Sequence, residues 1–235
     1  GLVTFDLSSS RDLTTLVNQN STEEVQFNQV TGLANLVVRN LTDSAESDTT
    51  VQFQDTVVAG KSDTIGLRLE SSDADLIRVG RVGDKNGGIE TINLDVSGRA
   101  ATVNQLDSDI TTLGLTGDVG LTVTTALNDT IRTVAGENFS GGASLSVAAA
   151  TAGVTVDLGA GSDNITGSGF ADDIDVRGGN NTVTSGNGND TVAAGAGNNT
   201  ISTSDGADSV TVGGGANTID LGTGNDSLVA GDGQN

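Results

Sequence analysis

The residues with the clearest potential for chemistry are aspartates that recur at a fixed spacing toward the C-terminus. From Asp163 onward one position returns every nine residues, and its identity alternates between two series. The first series is entirely aspartate and comprises Asp172, Asp190, Asp208 and Asp226. The second begins with Asp163 and continues as Asn181, Asn199, Asn217 and Asn235. Carboxylate oxygens are the ligands that hard cations such as calcium prefer, so the first series predicts a column of cation sites.

The elements that position these residues are short strands joined by glycine-rich turns. Two residues after each of the first eight members comes an aliphatic residue, namely Ile165, Ile174, Val183, Val192, Ile201, Val210, Ile219 and Leu228. The first six positions of each nonapeptide are rich in glycine, which permits a tight turn, and the last three form a strand. Two such strands per coil, stacked at about 4.8 Å, enclose a thin core. The sequence therefore predicts an all-β chain, a β-solenoid with a C-terminal parallel β-roll that has two nonapeptides per coil.

In such a roll the two series lie on opposite edges, which we call the Asp edge and the Asn edge. Carboxylates one coil apart on the Asp edge would repel by about 1 kcal/mol in water and about 3 to 4 kcal/mol at an effective dielectric constant of 20. A divalent cation between successive coils removes this repulsion, with turn carbonyls completing its ligands. Amides on the Asn edge carry no charge and can form a hydrogen-bonded ladder. We therefore expect calcium on the Asp edge and little on the Asn edge, apart from binding near Asp163.

The predicted ligands follow from this arrangement. The carboxylates are Asp172, Asp190, Asp208, Asp226 and Asp163, and the glycines of the turns are Gly186, Gly188, Gly206, Gly222 and Gly224. Without calcium, we expect the repeat to be disordered. Strands that lead to the Asn edge have a second apolar residue, as at Val176 and Val212, whereas strands that lead to the Asp edge mostly offer Gly167, Ser185 or Thr203. The two sheets are therefore expected to differ inside.

Other acidic residues have simpler interpretations. Asp205 and Asp232 occupy a different turn position and are expected to be surface charges, and Asp173 and Asp175 flank inward Ile174 on a solvated strand face. Three upstream acids lie near glycine or asparagine and could hold further calcium, although ordinary loop acids are the favoured interpretation: Asp73, Asp75 and Asp84.

Composition excludes several classes of function. The chain has 235 residues, with 31 acidic against 10 basic residues and a net charge of −21, so nucleic acid and anionic membranes are not expected partners. It has no cysteine and no histidine, which removes the usual zinc, haem and thiol sites and His-dependent triads. No apolar run approaches the roughly 20 residues that span a bilayer. Catalysis is not predicted, because nothing marks two of the many carboxylates as a glycosidase pair.

Organisation changes along the chain. Nine of the ten basic residues precede residue 135, and only Arg177 follows. Residues 1–100 predict an irregular β-rich region with alternating strands such as those around Phe5, Phe27 and Phe53. Residues 101–157 retain paired aliphatics without the acidic turn and predict a transitional β-solenoid. Residues 158–235 predict the β-roll.

The nonapeptides resemble those of the repeats-in-toxin (RTX) family, whose pattern is GGxGxDxUx with a large aliphatic residue at U. The units SGNGNDTVA, from Ser185, and LGTGNDSLV, from Leu221, match best. The resemblance implies calcium binding by Asp190 and Asp226, and by Asp172 and Asp208. The units VRGGNNTVT, AGAGNNTIS and VGGGANTID have asparagine at the ligand position.

The upstream segments are similar to the β-rich regions that precede calcium repeats in S-layer proteins of Gram-negative bacteria. The runs that carry this resemblance start at Gly88, Thr111 and Phe139. It implies a protein exported by type I secretion that self-assembles with calcium into a lattice of its own copies on the cell surface. It further implies attachment to lipopolysaccharide through a domain outside this chain, with no membrane insertion.

Three other functions remain open on the sequence. A calcium-stiffened stalk of a secreted RTX adhesin is the main alternative. The repeat tail of a secreted protease or lipase is disfavoured by the long upstream β region. An ice-binding solenoid needs a regular threonine array, and the series Thr182, Thr191, Thr200 and Thr218 is interrupted by Ser209 and Ser227.

Overall fold

The computed structural model describes residues 1–41, 47–60, 62–84 and 87–234. Within these ranges every regular element is a β-strand. No helix there is long and apolar enough to cross a membrane. The structure is therefore all-β, as the sequence predicts.

Fourteen strands precede the nonapeptide repeats. They are β1 (Val3–Asp6), β2 (Thr15–Gln19), β3 (Val25–Val30), β4 (Asn35–Arg39), β5 (Thr49–Phe53), β6 (Thr64–Glu70), β7 (Ala74–Arg81), β8 (Thr91–Ser97), β9 (Ala101–Asp107), β10 (Thr112–Gly117), β11 (Leu121–Val123), β12 (Thr133–Gly136), β13 (Ala143–Ser146) and β14 (Thr155–Leu158). The expected upstream strands around Phe5, Phe27 and Phe53 are confirmed as β1, β3 and β5.

Ten shorter strands follow in the repeat region. They are β15 (Asn164–Thr166), β16 (Asp173–Asp175), β17 (Thr182–Thr184), β18 (Thr191–Ala194), β19 (Thr200–Ser202), β20 (Ser209–Val212), β21 (Gly215–Ala216), β22 (Thr218–Asp220), β23 (Ser227–Ala230) and β24 (Gly233–Gln234). Most have three or four residues, because each nonapeptide leaves only its last positions for pairing.

Two parallel sheets of 11 strands each run through the described chain. Sheet A contains the odd-numbered strands from β1 to β19 together with β22, and sheet B contains the even-numbered strands from β2 to β20 together with β23. Each coil thus contributes one strand to either sheet, and β21 pairs only with β24. This is a parallel β-solenoid, and its C-terminal part is the predicted β-roll.

The coils become shorter and more regular toward the C-terminus. On sheet B, Leu36 pairs with Leu67, Ile92 with Leu113, and Val192 with Val210. Throughout the roll the partners are eighteen residues apart, as in the pair Thr182 and Thr200. The predicted stacking of each nonapeptide on the second one after it is confirmed.

The core follows the solenoid axis between the two sheets. Upstream it contains large side chains such as Phe53 and Phe139, both fully buried. In the roll the expected aliphatic residues are buried from Ile165 to Val210, whereas Leu228 on the final strand of sheet B is 43% exposed. The predicted difference between the sheets is confirmed, since Val176 and Val212 are buried on one side and Ser185 and Thr203 on the other.

Ion pairs connect successive coils in the upstream part. Arg39 pairs with Glu70 at 2.9 Å and Arg78 pairs with Asp107 at 2.7 Å. These contacts hold the coils together through side chains that need no metal.

Strands of all three predicted segments belong to the same two sheets. The boundaries after residues 100 and 157 stay predictions. Asn235, the last expected member of the Asn edge, lies outside the described residues.

Candidate metal centre

The Asp edge consists of four stacked turns, at residues 167–172, 185–190, 203–208 and 221–226, that connect sheet A to sheet B. Each turn ends at one aspartate of the first series, directly before a strand of sheet B. The strand registers place these aspartates one above another, because Asp173 pairs with Thr191 and Thr191 with Ser209. The structure therefore brings the predicted column together.

A hydrogen bond links each aspartate to the next coil. The backbone N–H of Asp172 donates to Oδ1 of Asp190 at 2.9 Å, and that of Asp190 donates to Oδ1 of Asp208 at 2.8 Å. The series extends to Asp226, whose Oδ1 accepts from the N–H of Asp208 at 3.0 Å. One carboxylate oxygen of each of these aspartates is thus fixed by the backbone of the previous coil, which leaves the second oxygen to be accounted for.

The second carboxylate oxygen has a different environment at each position. At Asp208, which is 2% exposed, Oδ2 is buried without a hydrogen-bond partner among the described residues. At Asp190 it accepts a hydrogen bond from Oγ of Ser185 at 2.6 Å. At Asp172 it accepts from the backbone N–H of Ser168 at 2.6 Å, and Oγ of Ser168 donates to Oδ1. Of these three, Asp208 is therefore the one whose second carboxylate oxygen has no partner among the described residues.

Burial and charge act together on these groups. Burial raises the pKa of Asp190, hydrogen bonds from Ser185 and from the N–H of Asp172 lower it, and the neighbouring carboxylates of Asp172 and Asp208 raise it. An ionised carboxylate in such a place is costly unless a cation or further donors compensate it.

Glycines allow backbone oxygens to approach this column. A Cβ added at Gly206 would overlap the carbonyl oxygen of Gly188 in the previous coil and would lie 2.8 Å from Oδ1 of Asp208. A Cβ at Gly224 would likewise overlap the carbonyl oxygen of Gly206. Gly186, Gly188, Gly222 and Gly224 adopt positive φ angles, which favour glycine. Carbonyl oxygens and carboxylates consequently lie side by side.

This donor set fits calcium. Within the described ranges no three Asp, Glu, His or Cys side chains form a metal-binding group, since each coil brings one carboxylate to the edge. A cation there would take carboxylates from successive coils and complete its shell with carbonyl oxygens, the oxygen ligands that calcium prefers. The residues that would hold it are Asp190, Asp208 and Asp226 with their turn carbonyls, and bound calcium would neutralise buried charge. The individual ligands stay predictions.

Asp163 stands apart at the start of the Asn edge. Its Oδ1 accepts from the N–H of Ala143 at 2.8 Å, its Oδ2 is buried without a described partner, and the residue is 2% exposed. Burial raises its pKa to about 6, against the hydrogen bond from Ala143. The carboxylate is available to a cation, but no second carboxylate follows it on this edge.

The remaining acids have the simpler roles that the sequence favours. Asp205, Asp232 and Asp173 are exposed and Asp175 is half-buried. Upstream, Asp73 pairs with Arg99 at 2.8 Å, Asp75 accepts from Asn104, and Asp84 pairs with Arg81 at 3.3 Å.

Sequence reasoning missed Ser168, Ser185 and Glu90. Ser185 was expected only as an inner residue at the end of a strand, and Ser168 was given no role, but both donate to the column. Oε2 of Glu90 accepts from the N–H of Asp63 at 2.8 Å. This hydrogen bond is the upstream equivalent of the one between the N–H of Asp190 and Asp208. The segments Asp63-Thr-Ile and Glu90-Thr-Ile, which resemble Asp190-Thr-Val, were the available signal.

Comparison with protein families agrees with this geometry. The model of the RTX calcium-binding nonapeptide repeat matches residues 157–192, 166–201, 184–219, 193–228 and 202–235, about a third of the chain. No curated protein and no solved structure matches the chain significantly. Residues 157–235 are therefore an RTX calcium-binding β-roll, and calcium is its cofactor. This fold is a structural calcium-binding one rather than a known enzyme fold, and such repeats are typical of secreted proteins.

Proposed function

We propose that this chain is a structural segment of a bacterial S-layer protein that is exported by type I secretion and assembles with calcium into a two-dimensional lattice. The calcium-binding roll supports a protein that completes its folding after export, where calcium is abundant. The continuous pair of sheets supports a rigid building block. Anchoring to lipopolysaccharide by another domain belongs to the same proposal.

The observation that carries the proposal is an uncharged strip on the outer face of sheet A. Paired positions on five successive strands line up there: Ser144 and Ser146, Asn164 and Thr166, Thr182 and Thr184, Thr200 and Ser202, and Thr218 and Asp220. Only Asp220, at the C-terminal end, is charged. On the outer face of sheet B the charges lie in the first coils of the roll, at Asp157, Asp173 and Asp175. The later coils are uncharged there as well, at Thr191, Ala193, Ser209, Thr211, Ser227 and Val229, so the strip of sheet A differs in spanning more coils.

An uncharged strip matters in a chain with a net charge of −21. Copies with this charge repel one another, and the cores of protein interfaces are depleted in charged residues. The strip is the longer of two surfaces on which copies can approach without bringing carboxylates together. Its small size favours weak contacts that add up in a lattice rather than a stable isolated dimer.

The threonine series that the sequence suggested is divided between the two sheets. Thr182, Thr200 and Thr218 align on sheet A, whereas Ser209 and Ser227 pair on sheet B. The serines therefore do not interrupt the column on sheet A, whereas on sheet B they follow Thr191 and interrupt the series as the sequence indicates. The column is nevertheless short, because Ser144 and Asn164 continue it upstream.

The test is to remove calcium from the protein with a chelator, return millimolar calcium, and image it by electron microscopy beside a chelated control. Sheets that form only with calcium support the S-layer function. Rods that gain β-structure without tiling support the adhesin stalk instead.

A pair of variants tests the strip. Thr184→Glu places a charge on sheet A, and Thr211→Glu places the same charge at the equivalent exposed position of sheet B. We expect the first variant to abolish the two-dimensional lattice seen by electron microscopy and the second to preserve it, with unchanged circular dichroism in both. Equal behaviour of the two variants would remove the strip from the argument.

A further inference from the structure

The two edges of the roll share one backbone arrangement. On the Asn edge the N–H of Asn181 donates to Oδ1 of Asn199 at 3.1 Å, and the N–H of Asn199 donates to Oδ1 of Asn217 at 3.0 Å. The first side-chain atom therefore has the same role as Oδ1 of the aspartates on the opposite edge. Any difference between the edges depends on the second atom, which is nitrogen in one series and oxygen in the other.

The second atom of each asparagine donates to carbonyl oxygens of its own turn. Nδ2 of Asn199 lies 3.2 Å from the oxygen of Gly195 and 3.3 Å from that of Gly197. Nδ2 of Asn181 lies 3.4 Å from the oxygens of both Val176 and Gly179. Nδ2 of Asn217 donates to the oxygen of Gly213 at 3.2 Å. Neutral donors thus satisfy the carbonyl groups of the Asn-edge turns.

These carbonyl groups correspond to the predicted calcium ligands. Gly195 and Gly197 are the second and fourth residues of their nonapeptide, as Gly186 and Gly188 are in an Asp-edge unit. On the Asp edge an oxygen stands where the amide nitrogen would be. It cannot donate to these carbonyl groups when it is ionised, and at Asp208 it has no described partner.

The roll also has a basic residue on the side of the Asn edge. The only basic residue of the roll, Arg177, lies in an Asn-edge turn and contacts Asp157 at 3.0 Å. Its backbone has a φ of 45°, which is unusual for a residue other than glycine. Its guanidinium group also lies 3.9 Å from Asp175 and 4.0 Å from Glu137, so nearby acids offset its charge and the amides are what distinguish this edge.

We propose that the side-chain amides of Asn181, Asn199 and Asn217 take the place of calcium on their edge, so that this edge remains closed without the metal and acts as the hinge of the roll. Calcium then controls only the Asp edge. After chelation the Asp-edge turns open while the Asn-edge turns keep successive coils in register. This differs from the expectation that the whole repeat is disordered without calcium.

Hydrogen–deuterium exchange on the whole chain, with calcium and with a chelator, tests the proposal. The N–H groups of Asp190 and Asn181 are the informative pair, because each donates to the next member of its own series, Asp208 on the Asp edge and Asn199 on the Asn edge. We expect chelation to accelerate exchange at Asp190 at least about tenfold more than at Asn181, as local opening of one edge requires. Equal acceleration at both positions, or none at either, would overturn the proposal.

Two variants that swap aspartate and asparagine between the edges provide matched controls. Asn199→Asp removes one amide donor, so exchange at Asn181 should become calcium-dependent and calcium uptake should rise. Asp208→Asn supplies the missing donor on the other edge, so exchange at Asp190 should lose its calcium dependence. If Asn199→Asp does not fold, the second variant still decides, because unchanged calcium dependence at Asp190 contradicts the proposal.

Discussion

The backbone N–H of Asp190 donates a 2.8 Å hydrogen bond to Oδ1 of Asp208, eighteen residues later in the chain. This contact orients the carboxylate of one coil by the backbone of the coil before it. It leaves Oδ2 of Asp208 buried and without a described partner. Because this oxygen is buried without a donor, calcium binding and the stability of the roll are both expected to depend on it.

Replacing Asp190 and Asp208 together by asparagine should reduce calcium uptake and stabilise the chelated roll. At Asp208 the change supplies an amide donor in place of an oxygen without a described partner, and a buried unsatisfied polar group costs about 1 to 3 kcal/mol. At Asp190, whose Oδ2 already accepts from Ser185, the change removes the repulsion from the neighbouring carboxylates. Isothermal titration with calcium and thermal unfolding in chelator measure the two effects. Asp205→Asn, at an exposed turn position, is the control. Unchanged calcium uptake in the double variant would refute the site assignment.

Val192→Asp should unfold the roll at any calcium concentration. Val192 is 0% exposed between the sheets, and a carboxylate there has neither a hydrogen-bond partner nor a cation. Circular dichroism in calcium and in chelator measures the loss. Thr191→Asp, at the adjacent exposed position, should keep the β-signal; similar loss in both variants would mean that added charge, rather than burial, is responsible.

Gly206→Ala should disrupt the Asp edge by steric overlap. Its φ angle is not in the left-handed region, but an added Cβ would overlap the carbonyl oxygen of Gly188. We expect a loss of about 1 to 3 kcal/mol, as for other overpacked sites, together with weaker calcium binding. Gly169→Ala is the control in the same edge, because no atom lies within 4 Å of its added Cβ. Equal stability of the two variants would contradict the close approach of the coils.

Asp163→Asn should stabilise the chelated protein at neutral pH but not in acid. Burial raises the pKa of Asp163 from 3.8 to about 6, so the folded state holds this proton more tightly than the unfolded chain does. The carboxyl therefore favours folding fully below pH 3.8, and this contribution is lost as the pH rises through about 6. At about 1.36 kcal/mol per pKa unit, the variant should gain up to about 3 kcal/mol above that range. Denaturant unfolding of the chelated protein in acid and at neutral pH measures this gain in the free energy of unfolding.

The comparison variant for this effect is Asp173→Asn, whose side chain is exposed. It should show no comparable change between acidic and neutral pH. A pH-independent gain in Asp163→Asn would mean that the carboxyl of Asp163 is not the group responsible.

The sequence predicts the roll well because its period is constant. Fixed spacing of Val183 and Ile201 is enough to specify register, two sheets and opposite edges. Upstream, loops of uneven length hide the same architecture: Leu36 pairs with Leu67 across a much longer coil than Leu113 with Val134. Alternation reveals these strands, but it does not reveal which strand each one joins.

The candidate site was predictable in position and less so in detail. The spacing of Asp190 and Asp208 identifies the column, because residue type and period are visible in the sequence. The N–H donors and the hydroxyl group of Ser185 were not predicted, since they depend on how a turn in one coil faces the next. Turn residues such as serine are common enough that composition alone gives no indication of this role.

The ion pairs between Arg39 and Glu70 and between Arg78 and Asp107 give the rod unequal mechanical properties along its length. The strands run across the long axis, so tension along that axis separates coil from coil. Upstream, side-chain pairs and large core residues resist this separation without calcium. In the roll Arg177 is the only basic residue, and resistance at the Asp edge is expected to depend on the metal. A rod under tension should therefore separate at that edge first when calcium falls.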